Sequence, residues 1–117
     1  MLAGNFAGLR TFKDLKMAID LFCYSSFLLP QVKKALSALP IQYQDLFTNQ
    51  FLISEAMPLT DAEKEIALEH GLNAQCLFLI HVNDKQAIES LPAVVAIVKN
   101  SLGDANVVIL FENEYRQ

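Results

Sequence analysis

Four side chains are placed to do chemistry together if the fold converges them: Glu55, His81, Asp84 and Glu112. Each lies in or just after a short apolar run. Glu55 follows Phe51-Leu52-Ile53-Ser54. His81 stands inside Cys76-Leu77-Phe78-Leu79-Ile80-His81-Val82, and Asp84 follows it. Glu112 follows Val107-Val108-Ile109-Leu110-Phe111. Carboxylates with one imidazole can hold a divalent cation. They can also move protons, since the ordinary pKa of histidine suits that task. Each residue has a plainer role as well. Asp84 is placed to cap a helix, and Glu55 is a loop acid. His81 fits a satisfied strand histidine, and Glu112 belongs to a solvated acidic tail. No pair among them has the spacing of a known motif.

The elements that must position them follow from apolar spacing. Thr11, with Asp14 three residues on, is a helix start. Phe12, Leu15, Ile19 and Phe22 fall on one helical line, and Met17, Leu21, Tyr24 and Leu28 on another. A helix over 12–28 follows, apolar over most of its girth and so buried on several sides. Pro30 opens a second helix and Pro40 stops it, with Val32, Ala35, Leu36 and Leu39 inward. Residues 1–48 thus read as a helical hairpin. Beyond them, Thr60 and Glu63 form a capping box and Gly71 a left-handed stop, which predicts a helix between. Residues 51–53, 76–82 and 107–111 read as strands.

Residues 93–99 carry two patterns. Val94, Val95 and Val98 suit a strand that would pair with 106–112. Ala93 and Ala96 suit a helix, which Pro92 would kink or restart, and helix is preferred. The order after residue 50 is then strand, helix, strand, helix, strand. Near-continuous apolar strands point to burial on both faces, as in parallel sheets. The expected fold is a single α/β domain over 1–117: a helical hairpin (1–48) packed on a small three-stranded, mostly parallel sheet with crossover helices (49–117). The alternative is α+β, with an antiparallel C-terminal hairpin. A parallel sheet would bring the strand ends and their four candidate residues to one edge.

Bulk properties narrow the function. The chain has 117 residues, 53% apolar and 19% charged. That apolar share is high for a small domain and points to an exposed patch that a partner covers. Residues 1–48 hold five basic and three acidic side chains, net +2; residues 49–117 hold four and ten, net −6. An acidic C-terminal part argues against a nucleic-acid surface. Cys23 and Cys76 sit in apolar runs and read as buried free thiols of a cytoplasmic protein. No run approaches a membrane span. Arg10, Lys13, Asp14, Lys16 and Asp20 interrupt the N-terminal apolar residues, unlike a secretory signal. Walker, C-x-x-C, H-E-x-x-H and G-x-S-x-G patterns are absent from the sequence, and no cofactor is expected.

The reading that follows is a small cytoplasmic protein–protein interaction module, non-enzymatic and homodimeric. Phe12, Met17, Phe22, Tyr24 and Phe27 are its interface candidates, because interface cores favour aromatics and methionine. An exposed sheet edge is a second route to association. Glu55, Glu63, Glu65 and Glu69 suggest an acidic face for a basic partner, as in an inhibitor or immunity-type binder. A metal-dependent hydrolase using Glu55, His81, Asp84 and Glu112 is the alternative, followed by a small-ligand sensor with an apolar pocket.

Overall fold

The computed structural model describes residues 19–48, 50–83, 85–111 and 115–116. The elements in chain order are strand β1 (Ile19–Ser25), helix α1 (Leu29–Gln42), short helix α2 (Gln44–Thr48) and strands β2 (Phe51–Ile53) and β3 (Met57–Pro58). Helix α3 (Asp61–Glu69), strand β4 (Cys76–Val82), a 3₁₀ turn (Lys85–Ser90), helix α4 (Leu91–Leu102) and a second 3₁₀ turn (Asp104–Asn106) follow. Strands β5 (Val107–Phe111) and β6 (Tyr115–Arg116) close the chain.

All pairings among these strands are antiparallel, in the order β2-β4-β1-β5-β6, with β3 also pairing β4. The expected three-stranded, mostly parallel sheet is therefore overturned; the fold is mixed α+β. The cause is residues 19–25. They form a strand rather than the second half of a helix, and that strand lies between β4 and β5, antiparallel to both. Leu21 and Cys23 point to one face, Phe22 and Tyr24 to the other. Because both faces are covered, the apolar run is unbroken and fits a helical period as well as a strand period. The expected helix over 12–28 fails from residue 19 onward, and residues 12–18 lie outside the described residues. The helical hairpin becomes one strand and the α1–α2 pair.

The order of strands and helices after residue 50 is close to the expected one. Residues 93–99 are helical and lie in α4, so they do not pair with 106–112. Pro92 sits in the first turn of α4, where its missing N–H costs nothing. Pro40 does not stop α1, which runs on to Gln42. Helix α3 has the expected capping box: Glu63 N–H donates to Thr60 Oγ1 (3.2 Å), and Thr60 N–H donates to Glu63 Oε1 (2.9 Å). Gly71 follows it at φ 84°.

Helices α1, α2 and α4 cover one face of the sheet. They bury Leu21, Cys23, Phe78, Ile80 and Ile109 against Val32, Leu36, Leu39, Phe47, Val94, Val98 and Leu102. Helix α3 and the loop after it cover the other face, packing Ala67, Leu72 and Ala74 on Tyr24, Leu77, Val108 and Leu110.

The β2–β3 edge is bulged. Ile53 pairs with Ile80 and Met57 with Leu77, so three residues (54–56) face two (78–79). Ser54 holds the bulge. Its N–H donates to the Leu79 carbonyl (2.9 Å), and its hydroxyl replaces a backbone carbonyl in accepting from Leu79 N–H (2.8 Å). A bulge, a proline at residue 58 and a fully buried Phe51 leave little straight edge for another strand to join. This weakens the expected route to association through the sheet edge.

Candidate functional site

Glu55 and His81, the two chemistry-bearing residues among the described residues, lie apart. Strand β2 runs against β4, so the end of β2 lies away from the end of β4. Ser54 is level with Leu79, and Glu55 lies beyond it, about 7–10 Å along β4 from His81. Glu55 also faces helix α1, in a groove it shares with Lys33 and Ser37. His81 is on the opposite face of the sheet, where its Nδ1 is 2.8 Å from Asp20 Oδ1. Asp84 and Glu112 lie outside the described residues. Among the described residues, no group of three His, Cys, Asp or Glu is arranged to hold a metal ion.

The Asp20–His81 pair follows from the strand register, which sets the two residues opposite each other. Both are even with Tyr24 and Leu77 on the α3 side, but beyond the part of the sheet that α3 covers. Their side chains are 34% and 41% exposed. The contact sets Nδ1 toward the Asp20 carboxylate and turns Nε2 away from it. That orients the ring without supplying a nucleophile or a second base. Leu52, 46% exposed, completes a row across three strands. Asp20 was not singled out from sequence, because a helical reading of 12–28 hides its place opposite His81.

The interface candidates are placed by β1. Tyr24 is fully buried on the α3 side, and Phe22 packs beside it, half-buried. Phe27 follows the strand and packs on the α1 side. Tyr24 is thus a core residue, while Phe22 and Phe27 pack against the core and stay partly exposed. Phe12 and Met17 lie outside the described residues. Cys23 and Cys76 are free and buried. Burial pushes both thiols up from their ordinary range, so they stay protonated and unreactive.

Two surface features remain. Helix α3 exposes Asp61, Glu65 and Glu69 around Leu68, which is 57% exposed. Glu63 is committed to the cap of Thr60. Glu55 is not part of this helix surface, so the four glutamates do not make one face. The second feature is the groove at Glu55, with a volume of about 340 Å³. Lys33, Leu36, Ser37 and Pro40 form one wall, spaced as one stripe of α1; Ile53, Ser54, Glu55 and Ala56 form the other. The α1 stripe was visible in sequence only once the helix was carried through Pro40.

Comparison with known proteins gives these surfaces a context. The immunity protein CdiI-2 of Burkholderia pseudomallei (strain 1026b) is 40% identical over 104 residues, covering 86% of this chain and 100% of that protein. A solved CdiA-CT/CdiI toxin and immunity complex from Burkholderia pseudomallei contains a similar chain. It matches with a TM-score of 0.81 at 38% identity, over 85% of this chain and 96% of that one. Residues 17–115 match the family model described as CDI System Immunity Component. With the model covering most of its length, the chain belongs to the CDI system immunity component family.

Proposed function

We propose that this chain neutralises a CdiA-CT-type toxin by binding it, without catalysis. The observation that carries the reading is the likeness to a chain of a toxin and immunity complex, at 38% identity and across 96% of that chain. Two proteins that similar in sequence share a backbone, and the binding role is what we carry over to this chain. The cytoplasm is the compartment this reading assigns, in keeping with two free, buried thiols.

The contact surface we assign is the outer side of α3. Asp61, Glu65 and Glu69 give it negative charge, and Leu68 gives it an apolar centre. Such a surface suits a basic region of the toxin, with charge steering the encounter and the leucine excluded from water on docking.

Calorimetric titration of the purified chain with its cognate CdiA-CT toxin domain tests the reading. The expected result is a saturable complex with Kd below roughly 10⁻⁷ M, the range of specific interfaces of standard size. The double variant Glu65→Lys, Glu69→Lys is expected to raise Kd roughly tenfold or more, mainly through slower association. A flat titration of the unaltered chain would end the toxin-binding reading. An unchanged Kd in the variant would remove α3 from the interface and leave the binding itself standing.

A further inference from the structure

The groove between α1 and the β2–β3 bulge sets polar groups, Glu55 and Lys33 among them, around an apolar floor. Leu36 and Ala56 are nearly buried there, at 7% and 5% exposure, with Ile53 and Pro40 beside them. In α1, residue 40 would ordinarily give its N–H to the carbonyl of residue 36. Pro40 has no N–H, and its ring pushes that carbonyl aside. The helix nevertheless continues to Gln42, and the Tyr43 N–H caps it by donating to the Leu39 carbonyl at 2.8 Å. Leu36 and Pro40 both line the groove, so the carbonyl without its usual helical donor is on the groove wall.

The opposite wall offers a second acceptor. Residues 54–56 are held there by Ser54, whose hydroxyl accepts from Leu79 N–H and donates to the Glu55 carbonyl at 3.2 Å. That anchors the backbone of Glu55 while its carboxylate stays exposed at the groove mouth. Among the described residues, Lys33 is the one cation lining the groove. It is exposed, and its flexible stem lets the ammonium swing into solvent.

An occupant that matches must carry donors and positive charge on an apolar stem. We propose that this groove is a socket for a lysine or arginine side chain of the toxin. The stem packs on Leu36, Ile53 and Ala56, and the head lies between the Glu55 carboxylate and the Leu36 carbonyl. Long cationic side chains bury their methylenes in this way and keep the charge at the rim. The planar fork of arginine suits two acceptors on facing walls better than a point charge does. The proposal rests on the toxin-binding reading above and adds to it a second contact, on the face of the sheet opposite α3, so that a toxin seated on both spans the β2–β3 edge.

The test uses opposite charges in the same groove. Glu55→Gln and Lys33→Gln are each titrated against the cognate CdiA-CT toxin domain beside the unaltered chain. Both residues are exposed, so both variants should keep their melting temperature within about 2 °C, the scale of a surface change. Glu55→Gln is expected to raise Kd about 5- to 20-fold, as loss of one partner of a partly desolvated charged pair does. Lys33→Gln is expected to lower Kd about 2- to 5-fold, since it removes a like charge from beside the incoming cation. A Kd unmoved or lowered by Glu55→Gln overturns the socket. So does a Kd raised by Lys33→Gln, which would mean an anionic occupant. In either case the binding of the unaltered chain keeps the toxin-binding reading intact; absence of any binding removes both. As a steric check, Ser37→Trp fills the groove from α1 and should raise Kd with Glu55 and Lys33 untouched.

Discussion

One face of the sheet carries α1, α2 and α4, with Leu21, Cys23, Phe78, Ile80 and Ile109 beneath them; the other carries α3 and leaves Leu52, His81 and Asp20 partly open. The thick face holds most of the large side chains that are wholly removed from water, Tyr24 and Leu110 being those of the α3 side. The thin face has a smaller apolar layer of alanines and leucines under a nine-residue helix. Stability and surface chemistry are thus divided. Charges on α3 and polar groups along the open sheet can vary without disturbing the layer that holds the fold.

Adjacent residues of one strand give the strongest way to break that comparison. Phe78 and Leu77 are neighbours on β4, facing the thick and the thin layer respectively. Phe78→Ala is expected to cost about 3–5 kcal/mol, because it opens a cavity among helices pinned by one another. Leu77→Ala should cost about 2–3 kcal/mol, near the bottom of the range for leucine, because a single short helix can settle into the gap. Urea denaturation of the two variants measures both. Equal losses would mean that α3 is held as rigidly as α1 and α4, and the division of labour would be withdrawn.

A finer comparison uses the glycines that end the two kinds of helix. Gly71 follows α3 at φ 84°, and Gly103 follows α4 at φ 87°. A β-carbon strains the backbone at both, and at least as much at Gly103, whose ψ of 126° lies outside the left-handed helical region. The surroundings differ. At Gly71 a β-carbon meets nothing within 4 Å, whereas at Gly103 it falls 2.7 Å from Asn106 Nδ2. Asn106 can yield only by loosening its bond from the Ser26 hydroxyl, 3.2 Å from Oδ1. Gly103→Ala should therefore destabilise by about 1 kcal/mol more than Gly71→Ala, the usual worth of one hydrogen bond. Thermal melts of the pair decide it, and equal shifts would show that Asn106 moves freely.

The same contrast explains what could be read without coordinates. Helix α3 is written locally: Thr60, Glu63 and Gly71 carry their signals within a dozen residues. Strands β4 and β5 are equally plain as bounded apolar runs. Strand β1 is not. Leu21-Phe22-Cys23-Tyr24 is apolar at every position because both faces are covered, and an unbroken run has no period of its own. Its partners, Phe78 and Ile109 beside Cys23, stand far along the chain. Nothing local distinguishes a strand inserted between β4 and β5 from a parallel pairing of those two, which burial on both faces would equally permit. The site suffered from the same gap. Glu55 was recognisable as a loop acid after a strand and His81 as a histidine within one. The antiparallel run of β2 against β4 parts them, and Asp20 became a partner for His81 only when β1 was laid beside β4. Pro40 misled in another way: a proline near the end of a helix reads as a stop, but this helix tolerates it for two more residues and leaves the Leu36 carbonyl without its usual helical donor.

The smallest expected effect lies on the open part of the thin face. The Asp20–His81 contact is short, 2.8 Å, yet both side chains are about a third or more exposed. Water competes for both groups, and salt screens them, so an exposed pair contributes little net stability. His81→Gln keeps a polar side chain of similar reach and should change the unfolding free energy by less than about 0.5 kcal/mol. The urea midpoint at low and at high salt measures it, and the two values should agree within error. A loss of the size expected for Leu77→Ala would instead mean that the row Leu52–His81–Asp20 is sealed from solvent. The thin face would then have a second covering layer, and the division between the faces would fail at the place where it is most exposed.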